Sequence, residues 1–409
     1  MTHAGVAPNR REVASAAILA AYLLLRSLSA SALGLGLPLY VAASGHSASA
    51  WGVTAGAFAA AMAIAEPLWG WASDRRGALL PLVVASLGPA LLTPAFGLTR
   101  ALALLVAIQF GRGLLEVGAA PAARQLLAHA LGPGRRAAGI GLFQACGSVG
   151  GVVGPLLAGW LLAHHGHVAA FWLSAAAMLA AALLALAGRA SLSATERNLD
   201  AAAPEAAGAP DALPERATLH AFARLAAIAA CVFAGSVAGR SFLPLLGTEV
   251  LLLDPARVAA VLSLTSAAGG PLNLIAGRLA DRQGRRPLIS WGLLAVAAAL
   301  AGYGVARSFV ALLACSLLAT AGMAAVIPAA VAMVADLTPL RRQGRMIGLF
   351  GTSEDIGIML GPMLCGFLWD GIGPRAAFLI TALVPVAGLL AMAGMGERTL
   401  RRPAEHTSM

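Results

Sequence analysis

Lysine is absent from this chain, and charge of either sign is scarce: of 409 residues only 11% are charged, with three Tyr and four Cys among them. A soluble domain carries roughly 25% charged residues, so this composition excludes an ordinary water-soluble fold. Cys146, Cys231, Cys315 and Cys365 stand singly inside apolar runs with no CxxC or zinc spacing, which argues against a disulfide framework or a thiolate metal site. No phosphate-cradling P-loop, dinucleotide Gly-rich turn or catalytic triad pattern is present, so neither ATP hydrolysis nor another enzymatic activity is expected, and no cofactor. His164, His165 and His167 form an HHxH cluster that reads better as part of a solvated loop than as a metal site. No metal is expected.

What the chain has is apolar sequence, 59% of it. A helix needs about 20 apolar residues to cross the hydrocarbon of a bilayer, and only helices or closed barrels satisfy their backbone polar groups there. The runs are long, rich in Ala and Leu, and lack the short alternation of barrel strands. They predict an all-α membrane protein with twelve transmembrane helices at about 13–43, 50–73, 78–98, 101–123, 137–163, 169–188, 221–251, 257–280, 287–306, 309–335, 346–369 and 376–396. The first run, preceded by Arg10 and Arg11 and containing Ala30-Ser31-Ala32, resembles a signal peptide but is too long for one. Between the sixth and seventh runs lies a polar, Pro-broken stretch with Pro204, Pro210 and Pro214. The expected organisation is a six-helix half at 1–188, a cytoplasmic linker at 189–219 and a second six-helix half at 220–409.

The net charge of +10 rests on arginine alone. These residues lie between apolar runs and form no single stripe, so no nucleic-acid partner is expected. Loops on the N-terminal side hold twenty-one of the 28 Arg residues, against four (Arg100, Arg257, Arg307 and Arg375) on the other. By the positive-inside rule both termini are expected in the cytoplasm, and the protein in a bacterial-type inner membrane. The seven Trp residues fall near helix ends, as in an aromatic belt.

One offset of 207 residues relates separate parts of the chain. Gly70, Asp74, Arg75 and Gly77 recur as Gly277, Asp281, Arg282 and Gly284. Gly141, Gly150, Gly154, Pro155 and Gly159 recur as Gly348, Gly357, Gly361, Pro362 and Gly366. An even six helices per copy predicts two repeats inserted in parallel.

The stretch Gly277-Arg278-Leu279-Ala280-Asp281-Arg282-Gln283-Gly284-Arg285-Arg286 resembles the GxxxDRxGRR signature of the major facilitator superfamily, and the resemblance extends over essentially the whole chain. The first copy departs at Ala78, where a base is usual. The resemblance implies a cytoplasmic latch at Gly70, Asp74, Arg75, Gly77, Gly277, Asp281, Arg282, Gly284 and Arg285, each acid facing a helix N-terminus in the other half; a helix dipole favours a negative charge there. Gly141, Gly150, Gly154, Pro155 and Gly159 resemble the fifth-helix motif of the twelve-helix drug–proton antiporter group. Ala158 stands where Gly is usual, and the second copy in helix 11 leaves repeat ancestry as another explanation.

Charges inside a membrane cost roughly 2.5–3.5 kcal/mol each on insertion scales, so they are paired or functional. Arg112-Gly113-Leu114-Leu115-Glu116 resembles the family's fourth-helix motif, with Leu115 and Glu116 departing from it. Arg112 and Glu116 are spaced to pair on one helix face; alternatively Glu116 exchanges protons. Glu116, Glu354, Asp355 and Glu66 are therefore the proton-coupling candidates. Arg26, Arg112, Arg240 and Asn273 are the candidate cavity residues, on helices that the resemblance places around a central cavity. The expected activity is proton-coupled export of small amphipathic compounds by a monomeric secondary transporter. The alternative is a carrier for an organic anion or a siderophore-like metabolite, motivated by the three intramembrane Arg residues. A receptor or sensor lacks a supporting soluble domain.

Overall fold

Runs of Ala and Leu give helices whose entire surface is apolar, and such helices are stable where lipid or another helix covers every face. The computed structural model describes residues 10–119, 122–123, 126, 136–193, 216–337 and 343–393. In chain order its principal helices are α1 (Arg10–Ala43), α2 (Ala48–Arg76), α3 (Leu79–Leu92, continued by a 3₁₀ turn Thr93–Leu98), α4 (Leu102–Glu116), α5 (Arg136–His165) and α6 (His167–Ala187). The second set comprises α7 (Arg216–Leu245, ending in a π turn Leu246–Val250), α8 (Pro255–Gln283), α9 (Arg285–Val305), α10 (Phe309–Leu337), α11 (Gln343–Ile372) and α12 (Pro374–Thr381, resumed as Leu383–Ala393). Eleven helices among the described residues are long and apolar enough to cross a membrane. The exception, α4, is described over 15 residues, and most of the chain between it and α5 lies outside the described residues.

The helix positions agree with the apolar runs, and the differences are local. The stretch expected as a linker is helical at both described ends, at 189–193 and from Arg216 onward, while 194–215 lies outside the described residues. The histidines expected in a loop sit on helix ends: His164 and His165 close α5, His167 opens α6, and Gly166 alone makes the turn. His164 Nδ1 lies 2.8 Å from the Trp160 carbonyl and its ring stacks on that indole. Two tryptophans leave the expected belt. Trp51 is buried, its Nε1 donating to the Ser241 carbonyl at 3.0 Å, and Trp69 donates to the Leu114 carbonyl at 2.7 Å.

Within the first six helices α1 packs against α5 and α6, and within the last six α7 packs against α11 and α12. Small residues make these approaches close. A Cβ on Gly150 would meet the Leu24 carbonyl at 2.6 Å and one on Gly154 the Leu28 carbonyl at 2.5 Å. Gly357 and Gly361, 207 residues on, meet Ala230 and Ala234 of α7 in the same way.

The two sets of helices meet mainly through α2–α11 and α5–α8, most tightly toward one end. At the end formed by the α1–α2, α5–α6, α7–α8 and α11–α12 turns, contact is tight. A Cβ on Gly52 would meet the Pro362 carbonyl at 2.5 Å, one on Gly159 the Ala259 Cβ at 2.7 Å, and one on Gly366 the Ala48 carbonyl at 2.7 Å. At the opposite end, where Arg75, Arg76, Arg282, Arg285 and Arg286 lie, Gly70, Gly141, Gly277, Gly348 and Gly351 have nothing among the described residues within 4 Å of an added Cβ. Among the described residues the structure is closed at one end and open at the Arg-rich end.

Candidate functional site

Beneath the closed end lies a cavity between the two sets of helices. One lobe of about 270 Å³ is bounded by Gly34 of α1, Trp51 and Phe58 of α2, Gln109 of α4, Pro155 of α5, Val237 of α7, Leu262 of α8 and Ile358 and Pro362 of α11. It is mainly apolar and aromatic. A second lobe of about 320 Å³ is polar, with Ser27, Gln144, Ser148, Thr265, Ser266 and Thr320 in its wall. Ser31 and Arg240 line both lobes. Volumes of 300–1,000 Å³ suit small organic ligands.

The intramembrane charges separate into three groups. On the first set of helices Arg26, Arg112 and Glu116 form one cluster. Arg112 Nη2 pairs with Glu116 Oε2 at 3.0 Å, and Arg26 Nη2 lies 3.8 Å from Glu116 Oε1. Arg112 Nη1 also donates to Gln109 Oε1 at 2.8 Å, so the amide of Gln109 is the cluster's edge on the apolar lobe. Arg26 donates to the carbonyls of Ala85 and Glu116, at 3.3 Å each, which ties α1 to α3 and α4. Arg112 is 2% and Glu116 6% exposed. The spacing of Arg112 and Glu116 indicated a pair; Arg26 as its third member could not be read from sequence, because it comes from another helix.

The second group joins the two sets of helices. Asp355 of α11 lies close to Glu66 of α2, carboxyl beside carboxyl. Glu66 is exposed on the open side of the cavity and Asp355 is half-buried. Glu354, one residue earlier, is half-buried and has its own interaction.

Arg240 stands alone. It is exposed to the cavity, and no carboxylate or hydrogen-bond acceptor among the described residues pairs with it. Asn273, also expected at the cavity, is exposed on α8 but does not line either lobe.

A family profile decides what this architecture is. The profile of the major facilitator superfamily matches residues 19–253 and again 225–408. The chain belongs to the major facilitator superfamily. Like its relatives it is a membrane transporter and not an enzyme. Among curated proteins it is similar to the multidrug resistance protein MdtG of Klebsiella pneumoniae, 26% identical over 91% of this chain and 90% of that one. It is also 26% identical to MdtG of Enterobacter lignolyticus, over 85% and 84% of the two chains. A bacterial homologue of the human lysosomal transporter Spinster, solved inward-facing and occupied, superposes with a TM-score of 0.77 over 98% of this chain and 100% of that one, at 17% identity. That likeness shows the fold.

The superfamily's signature residues are only partly visible. The side chains of Asp74 and Asp281 lie outside the described residues, as do most of those in the first turns of α11 and α5, which they were expected to face. Gly77 and Gly284 each close a helix with φ of +80° and +86°, a conformation that favours glycine. Arg75 lies 4.5 Å over the ring of Trp71, and Arg285 pairs with Asp336 of α10 within its own set of helices. In the fifth-helix motif, Gly150 and Gly154 pack on α1, Pro155 lines the apolar lobe, Gly159 reaches across to α8, and Gly141 touches nothing.

Sequence reasoning did not anticipate Asp370. Its carboxylate accepts from the backbone N–H groups of Ala48 at 3.0 Å and Ser49 at 2.8 Å, so an acid of α11 caps the start of α2 across the closed end. One signal was available: an acid in the last turn of a helix sits at the unfavourable end of that helix's own dipole.

Proposed function

We propose that this chain is a proton-coupled exporter of small amphipathic compounds, with twelve spans in two parallel six-helix halves that rock about the central cavity. The observation that carries the proposal is that cavity, sealed at one end by inter-set glycine contacts and open at the other. Full-length similarity to MdtG proteins supports efflux of drug-like molecules. The Arg-rich open end is the cytoplasmic one by the positive-inside rule, so this conformation faces inward, in an inner membrane and as a monomer.

Coupling is assigned to Asp355 with Glu66. They lie between the two halves on the open side, so a proton taken up by either carboxyl would be coupled to the halves' relative position. Glu116 is a weaker candidate for the same role, because two arginines already neutralise it. The 207-residue pairs Asp74 and Asp281 serve as the cytoplasmic latch of the opposite, outward-facing state.

The test is transport in proteoliposomes of the full chain, with fluorescent amphiphiles and an imposed pH gradient. Gradient-driven movement with proton counterflow is expected. Asp355→Asn should abolish the gradient dependence and retain substrate exchange. Transport by the wild type that ignores the gradient would end the coupling assignment.

A further inference from the structure

We propose that Arg240 is an anion-recognition group, and that the exported compounds carry one negative group, such as a carboxylate, sulfonate or phosphate ester, on an apolar or aromatic body. This names the substrate class for the exporter proposed above and rests on that reading.

The charge accounting in the cavity leads to it. Of the three intramembrane arginines, Arg26 and Arg112 share the carboxylate of Glu116 and make further hydrogen bonds to Gln109 and to backbone carbonyls. Arg240 has neither kind of partner among the described residues, and it reaches both lobes. A guanidinium in a membrane span is retained when it is paired or when it faces a water-filled cavity on a substrate path; Arg240 meets the second condition. Its planar fork of donors matches a carboxylate or phosphate in a bidentate arrangement.

The surroundings then specify the rest of the ligand. Trp51, Phe58 and Ile358 form an apolar wall on one side of the guanidinium, suited to a ring or an alkyl chain. Gln144 and Ser148 stand on the other side, suited to a polar substituent. Glu66 and Asp355 line neither lobe, so no carboxylate among the described residues competes with a ligand for Arg240. A cationic amphiphile would place like charge beside Arg240 and find no counter-charge in either lobe.

The experiment uses three probes with one ring system and different charge: 2-naphthoate, 2-naphthylmethanol and 2-naphthylmethylammonium. Binding to the purified full chain is measured by titration and thermal shift, and transport in proteoliposomes. Naphthoate should bind at least about tenfold more tightly than the alcohol, and the ammonium more weakly than the alcohol. Arg240→Gln should reduce naphthoate binding to the level of the alcohol and leave alcohol binding unchanged, which shows an intact cavity. Arg240→Lys should retain part of the preference. Equal binding of the three probes, tighter binding of the ammonium, absence of binding by all three, or a naphthoate preference that survives in Arg240→Gln would each overturn the proposal. Selective naphthoate binding without movement of any probe across the membrane would uphold the anion site and overturn the exporter reading instead.

Discussion

The two sets of helices handle arginine inside the membrane in opposite ways. In the first, Arg26 and Arg112 share the carboxylate of Glu116 in a cluster that ties α1, α3 and α4 together. In the second, Arg240 faces the cavity without a counter-charge. The 207-residue offset makes the contrast specific, for it puts Phe233, Ala319 and Met323 where the cluster would recur, and Leu33 opposite Arg240. The same residue type is therefore paired on one side and, among the described residues, without a counter-charge on the other.

The largest expected effect comes from breaking the cluster. Glu116→Gln leaves two arginines buried without a carboxylate, and breaking a buried pair costs about 3–5 kcal/mol. Expression and melting temperature should fall together, and the double change Arg112→Gln with Glu116→Gln should recover part of the loss, Arg26 still lacking its carboxylate. A stable Glu116→Gln protein would show that the ion pairs do not hold these helices together. Arg240→Gln gives the contrast: it removes an unpaired charge, so stability should hold within about 0.5 kcal/mol, while anion binding is lost. A fall in melting temperature comparable to that of Glu116→Gln would erase the distinction between the two arginine sites.

Most of the fold was legible because each span is a continuous apolar run, and a span of that kind needs no partner to be recognised. The Arg112–Glu116 pair was legible for a similar reason, being a contact within one helix turn. What was not legible came from contacts between helices far apart in sequence. Arg26 joins Glu116 across 90 residues, Glu66 meets Asp355 across the two sets, and Asp370 caps α2 from 322 residues away. Helical periodicity places such side chains on a face, but the helix opposite is fixed only by packing. Trp51 shows the same limit: its position near a helix end suggested the lipid interface, whereas α7 draws it inward.

A second contrast, between the two ends of the molecule, separates substitutions of one type. Gly52→Ala adds a Cβ 2.5 Å from the Pro362 carbonyl, a backbone atom that yields only if the helices part. Overpacking of this kind costs about 1–3 kcal/mol. The cost applies to the closed end alone, so it should shift the population toward a state open at that end without unfolding the protein. Gly141→Ala, at the open end, meets nothing within 4 Å and should leave this conformation unaffected. Accessibility of a cysteine placed at Ser31 to a membrane-impermeant reagent, applied from the closed side, distinguishes the two. Equal labelling in both variants would mean that the glycine contacts do not hold that end shut.

The smallest expected effect is at Asp370. Its carboxylate accepts from two N–H groups at the start of α2, where the helix dipole favours a negative charge by about 0.3–1 kcal/mol when exposed. Because the acid belongs to α11 and the dipole to α2, that energy stabilises contact between the two sets and neither set alone. The Asn variant keeps the shape and one acceptor but loses the charge, so labelling at position 31 should rise about two- to fivefold, with the melting temperature nearly unchanged. High salt should narrow the difference between wild type and variant, since the site is exposed and screening acts on the charge. An Asp370→Asn protein labelled at the wild-type rate in low salt would show that glycine packing alone closes this end.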